Sequence, residues 1–264
     1  MDFWHKQSPS KPLFPDLLWS RPENRAHAGK LLVIGGNVHG FSAPASAFAE
    51  AAGAGAGTVR AILPDAVKRL AGAVLPALEY APSTPSGSFS QQAAAELLDQ
   101  STWADGVLLA GDFGRNSETA IVLEKFLNSY SGQVTLAKDS VDYALSTVSP
   151  LTENNRLYVL TMAELQRLGT RLGLLKPITF GMDLLQLVRA LHDITLEHEF
   201  AIIVKHLEQL FVAVDGQVST TKLAEDPKTW RVKTATYAAV WWLQNPDKPF
   251  EALTIAQLND IKGA

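Results

Sequence analysis

The segment Gly29-Lys-Leu-Leu-Val-Ile-Gly35-Gly36-Asn37, continuing through Ser42-Ala-Pro44 and an alanine-rich run to Gly57-Thr-Val-Arg-Ala-Ile-Leu-Pro64, decides the fold. Leu31 to Ile34 is an unbroken apolar run, the mark of a strand buried on both faces, and Gly35-Gly36 lets the backbone turn where a Cβ would obstruct it. Ser42 can cap a helix, Pro44 suits its first turn, and the alanines that follow make a slim apolar cylinder ended by Gly53, Gly55 and Gly57. Thr58 to Leu63 is again β-branched and apolar. A strand, a short crossover and a second strand predict a parallel pair with a right-handed connection.

The same rhythm recurs downstream. Gly106 to Ala110 reads as a strand that runs into the polar loop Gly111–Glu118, and a helix starts at Ser117 or Glu118. Gln133 to Ala137 is a strand ending at Lys138-Asp139. Leu157 to Leu160 is another, and Thr161-Met-Ala-Glu164 after it has the capping-box spacing. Leu184 to His198 has a helical apolar period and feeds the strand Ala201 to Val204. Asp65 to Leu75 and the stretch capped by Ser90 read as helices, as do Val232 to Leu243 and Phe250 to Ile261. Leu210–Val214 and Gln217–Leu223, joined by Asp215-Gly216, predict an antiparallel hairpin at one edge. The expected fold is α/β: a doubly wound, mostly parallel central sheet with helices on both faces, and ligands outside the carboxyl ends of its strands. Residues 1–28 hold four prolines and read as an irregular arm whose Phe3, Trp4, Leu17, Leu18 and Trp19 pack on the body or a neighbouring subunit; residues 29–264 read as a single domain.

Composition narrows the function. A formal charge of -4 carries no footprint for nucleic acid or an anionic membrane, and no run approaches ~18 apolar residues. The N-terminal stretch lacks a leader pattern, so a soluble cytoplasmic protein is expected. The absence of cysteine removes thiolate nucleophiles and thiolate metal sites, and six histidines without HExxH spacing give no metal constellation. No GxSxG elbow, P-loop or complete GxGxxG fingerprint is present.

Arg25-Ala-His27-Ala-Gly29-Lys-Leu-Leu-Val-Ile-Gly35-Gly36, Ser42-Ala-Pro44 and Ala54-Gly-Ala-Gly-Thr-Val59 together resemble the opening of the ADP-dependent NAD(P)H-hydrate dehydratases of the ribokinase-like superfamily, relatives of the carbohydrate kinases. Ala104-Asp-Gly-Val-Leu-Leu-Ala-Gly111-Asp-Phe-Gly114-Arg115 is similar to that family's glycine-rich loop, Asp139 to its aspartate at a strand end, and Ile203-Val-Lys205-His206 stands where a Leu-Lys-Gly run is expected. The resemblance implies ADP or ATP as cofactor, hydrated NADH or NADPH as substrate, and removal of water from the damaged ring. The family's base and anion hole lie in a GxGD segment at a helix start. Asp226-Pro-Lys-Thr-Trp-Arg-Val-Lys-Thr-Ala235, which stands there, has no glycine. The expectation is therefore a nucleotide-binding, divergent dehydratase-like protein with weak or lost catalysis; an active lyase with a relocated base and a non-catalytic assembly protein are the alternatives.

The candidate site residues each carry two readings. Asp226 or Asp139 would be the base on offer. Gly35, Gly36, Asn37, Gly111 and Gly114 would approach a ligand or merely form turns. Lys205, Lys228, Arg231 and Lys233 would hold an anion or be solvated charges. Asp112 and Arg115 would face the site or form a local ion pair; Asp139 and Asp142 would be paired acids toward a metal bound through phosphate, or helix caps. No resident metal site is expected. Trp241-Trp242 reads as helix core or subunit interface, and the partner expectations are a small-molecule nucleotide and a homo-oligomer.

Overall fold

The structure, a computed structural model, describes residues 2–71, 77–147, 155–222 and 230–262. In chain order its elements begin with β1 (Trp4–Gln7), α1 (Pro15–Trp19), β2 (Lys30–Gly35), α2 (Ser42–Gly53), β3 (Thr58–Pro64), α3 (Lys68–Ala71) and β4 (Leu78–Ala81). Then come α4 (Ala93–Ser101), β5 (Gly106–Gly111), α5 (Ser117–Ser129), β6 (Gln133–Ala137), α6 (Asp139–Thr147), β7 (Arg156–Leu160) and α7 (Met162–Arg171). The last are α8 (Leu184–Glu197), β8 (Ala201–His206), β9 (Gln209–Val214), β10 (Gln217–Lys222), α9 (Trp230–Gln244) and α10 (Pro249–Lys262).

One ten-stranded sheet organises them, in the order β1-β10-β9-β8-β7-β6-β5-β2-β3-β4. Strands β2 to β8 are mutually parallel, and those inside the sheet are apolar on both faces; β9 alone turns back antiparallel, and β10 returns beside it in the direction of β8. The order reverses between β2 and β5, a topological switch point. One apolar core lies between the sheet and α4 to α8, anchored by Phe89, Phe113, Phe126 and Tyr158. The other lies under α2, α9 and α10. Helix α9 is buried from Thr234 to Leu243, with Trp241 fully enclosed, so the Trp241-Trp242 pair is core. The alanines of α2 let it nest beside α9: Ala43, Ala47 and Ala51 are all buried.

Several expectations need correction. Residues 4–7 within the supposed arm form β1, which pairs in parallel with β10 and covers the outer side of the hairpin; Phe3 stacks on His192 at 3.8 Å. Strand β4 falls where only a connection was expected. Both are short, half-exposed edge strands, and such strands carry no continuous apolar run. Over Asp65–Leu75 the described part is a 3₁₀ turn followed by the single turn α3, and residues 72–75 lie outside the described residues. Ser90 does not cap α4. Its hydroxyl donates to the Pro82 carbonyl at 3.2 Å. The hairpin turn at Asp215-Gly216 has φ of 48° and 74°, as a type I′ turn requires. The turn between β8 and β9 is similar but uses Leu207 and Glu208, at φ 47° and 58°. No glycine marks it.

Candidate functional site

The carboxyl ends of β2, β5 and β6 meet closely. A Cβ on Gly35 would lie 2.4 Å from the Gly111 carbonyl oxygen, so only glycine permits this approach. The Gly36 amide donates to that same oxygen at 3.0 Å. Beyond it, Asp112 and Lys138 both take left-handed backbone, at φ 61° and 57°, a cost of order 1 kcal/mol each. Their side chains form an ion pair. The second carboxylate oxygen of Asp112 accepts the Ala43 amide at 2.7 Å and the Ser42 hydroxyl at 3.1 Å, so a residue 70 positions away caps the start of α2. Burial alone would raise the Asp112 carboxyl, but the bonds from Lys138, Ala43 and Ser42 outweigh it and hold the group below its ordinary value. Asn37 completes the cluster: its amide donates to the Asp112 carbonyl at 2.6 Å.

Asp139 sits at the start of α6. One oxygen accepts the Gly114 amide at 3.2 Å; the other is buried and has no hydrogen-bond partner among the described residues. Burial pushes this carboxyl up, and the nearby negative charge of Asp112 adds to the effect. The Tyr143 hydroxyl braces the loop, donating to the Gly114 carbonyl at 2.5 Å and accepting the Asn116 amide at 3.1 Å.

The ends of β7 and β8 are arranged differently. Thr161 and Glu164 form the expected capping box, and Glu164 also receives Arg231 at 2.7 and 2.9 Å. The same Arg231 nitrogen lies 3.4 Å from the Lys138 carbonyl, which ties α9 to both α7 and β6. Beside this pair is a cleft of about 380 Å³ whose wall includes Phe180, Lys205, Leu207 and Trp230. The Lys205 ammonium lies 5.8 Å from the centre of the Trp230 ring. His206 contacts the Met182 carbonyl through Nε2 at 2.8 Å, which assigns the proton to that nitrogen.

Neither a protein-family model nor a curated protein matches the sequence. Solved structures do match. A ribokinase-like superfamily protein from Enterococcus faecalis superposes at a TM-score of 0.75 with 15% identity, over 98% of this chain and 87% of that one. The fold is ribokinase-like. A protein from Streptococcus mutans gives a TM-score of 0.70 at 16% identity, over 92% and 84% of the two chains. An ADP/ATP-dependent NAD(P)H-hydrate dehydratase from Bacillus subtilis, co-crystallised with ATP and magnesium and soaked with CoA, gives 0.67 at 13% identity, over 95% and 87%.

Within this ribokinase-like frame the candidate residues fall into two groups. Gly35, Gly36, Asn37, Gly111, Gly114 and Asp139 converge at the ends of β2, β5 and β6, where several of their polar atoms bond one another. Lys205 and Arg231 belong to the second group, at β8 and the start of α9; Lys233 lies one turn on, with its ammonium 5.8 Å from the Tyr237 ring centre. Asp226 and Lys228 lie outside the described residues. Arg115 is exposed, and Asp112 pairs with Lys138 in place of the local partner expected. Asp142 is not a partner of Asp139; it meets Arg167 of α7. Sequence reasoning missed the Asp112 cap, the Glu164–Arg231 pair and Phe180, because each depends on contacts between distant segments. Among the described residues no three of His, Asp and Glu converge as ligands of a metal ion.

Proposed function

We infer that this chain is a divergent NAD(P)H-hydrate dehydratase-like protein that binds a nucleotide or a nucleotide-like ligand at the carboxyl edge of its sheet, with catalysis weak or lost. The cleft beside β8 and α9 carries this reading. It offers two aromatic rings, Phe180 and Trp230, suited to a planar base, and the Lys205 ammonium, suited to a phosphate. Its volume of about 380 Å³ lies within the range of small-molecule sites. ADP or ATP fits this donor set, with the rings holding the base and Lys205 the anion.

Loss of turnover is supported by the state of the acids. Asp112 is bound to Lys138 and to the start of α2, and Glu164 is bound to Arg231, so neither is free to take a proton. The segment 226–235 has no glycine to bring backbone amides onto a phosphate. The reading is tested by thermal unfolding with ADP, ATP and NADH in turn. Binding at a hundred times Kd adds about 2.7 kcal/mol to stability, which registers as a raised Tm; no shift with any nucleotide would sink it.

A second reading, an active ADP- or ATP-dependent dehydratase, is favoured by one observation. Asp139 keeps a buried oxygen with no hydrogen-bond partner among the described residues and a raised carboxyl, the profile of a poised base. Incubation with hydrated NADH and ADP separates the two. Return of reduced-nicotinamide absorbance that disappears in Asp139→Asn would establish the second reading over the first.

A further inference from the structure

The turn joining β8 to β9 is made of residues that its backbone does not favour. A two-residue hairpin turn with positive φ at both positions prefers Asn-Gly, Asp-Gly or Gly-Gly, which reach the left-handed region at little cost. Leu207 and Glu208 occupy it, at φ 47° and 58°. For a side chain as bulky as leucine this conformation is uncommon, and residues so held gather at sites that clamp a ligand. The turn between β9 and β10, at the opposite edge of the sheet, has positive φ at both positions too and carries the favoured pair Asp215-Gly216. Packing does not explain Leu207-Glu208. Leu207 is 57% exposed, and the exposed Glu208 carboxylate makes no hydrogen bond or ion pair among the described residues.

Both residues instead line the cleft of about 380 Å³ beside α9, together with Phe180, Lys205 and Trp230. Glu208 is the one acid among the described residues that line it. A nucleotide joins its base to its phosphates through a ribose, and hydroxyls that leave water need an acceptor. A carboxylate suits two neighbouring hydroxyls well: each of its oxygens accepts an O–H, in bonds stronger than those between neutral groups. Resting on the reading of this cleft as a nucleotide site, we propose that Glu208 is a specificity-determining residue. It accepts the ribose hydroxyls and selects ribonucleotides over their 2′-deoxy counterparts, while Leu207 gives the sugar an apolar wall. The unfavoured turn is what sets both side chains at the cleft; the favoured pair would supply neither.

Calorimetric titration of the full chain with ADP and with 2′-deoxy-ADP tests the assignment. The readout is the ratio of their Kd values, because the two ligands carry the same base and phosphates and any general effect of charge cancels. Wild type is expected to bind ADP roughly tenfold more tightly than 2′-deoxy-ADP, the effect of losing one hydrogen bond to a charged group. In Glu208→Ala the ratio falls to about one. Leu207→Asn combined with Glu208→Gly installs the favoured turn. Its Tm rises by a few degrees while the discrimination is lost, a combination that a merely structural role for the turn does not produce. Equal affinity of wild type for the two ligands, or an unchanged ratio in Glu208→Ala, overturns the assignment and leaves the nucleotide reading standing. A lowered Tm in the combined variant also overturns it, since the pair then serves stability. Wild type that binds neither ligand overturns the assignment and the nucleotide reading together.

Discussion

The two halves of the sheet's carboxyl edge have opposite characters. At β2, β5 and β6, glycine turns bring the strand ends so close that polar groups bond one another: Gly36 to Gly111, Asn37 and Lys138 to Asp112, Asp112 to the start of α2. At β7, β8 and α9, bulky side chains hold the walls apart and a cleft remains. Likeness of fold thus does not place the open cleft where the most recognisable sequence lies. A glycine-rich turn is free to approach a ligand only when its own chain has not already taken the position.

The largest change expected is in Glu164→Ala, which removes the α7 capping box and leaves Arg231 without its carboxylate. Loss of the cap costs about 1 kcal/mol and a stranded, mostly buried guanidinium about 2 more, toward the lower end because Arg231 remains a fifth exposed. Urea denaturation should register about 3 kcal/mol; a loss below about 1 would mean that the two halves are not tied through this pair.

Next comes Asp112→Asn, with an expected loss of about 1–2 kcal/mol as the α2 cap weakens and the Lys138 pair is broken. It also carries a pH signature. Because the folded carboxyl is held below its ordinary value of 3.8, its contribution is fully present above that pH and drains away as pH falls through the folded value. The variant should therefore lose part of the acid-limb slope seen in wild type. Trp230→Ala is expected to weaken nucleotide binding roughly tenfold and to cost about 1 kcal/mol in urea, since the ring stands at the cleft wall and is partly packed against the core under α9; calorimetric titration of ADP reads the binding. Equal affinity in the variant would shift attention back to the glycine half.

The smallest effect belongs to Asp139→Asn. A carboxyl raised by burial costs stability wherever the unfolded chain would ionise it, so the amide should raise Tm at neutral pH and lose that advantage as pH falls toward 3.8. A Tm that falls at neutral pH would show that the charged form is favoured there.

The parallel core of the fold was legible because β2, β5, β6, β7 and β8 are apolar on both faces and end in turn residues. Gln133–Ala137 and the Thr161–Glu164 box emerge at the expected positions. Edge strands β1 and β4 were not, since half-exposed strands have mixed composition. The candidate site was legible only as a set of loops. Ser42 was read as the cap of α2, but the cap is Asp112, brought in by the β5 turn, and no local pattern announces a partner 70 residues away. Arg231 read as an anion holder or a solvated charge until Glu164, 67 residues earlier, was placed beside it. Periodicity records which face of an element is buried; it carries no record of which loops meet.

The pairing of β1 with β10 sets a timetable. Trp4 sits beside Val218 and Gln7 beside Thr221, so β1 is seated by a strand made long after it. At ribosomal speeds of about 5–20 residues per second, the 214 positions separating Gln7 from Thr221 amount to an interval of roughly ten to forty seconds. Throughout it Trp4 has no strand to pair with, while β2–α2–β3, whose contacts are local, can form at once. A strand that emerges before β10 thus settles only after it, and the delay exposes an aromatic segment to whatever else binds unpaired backbone.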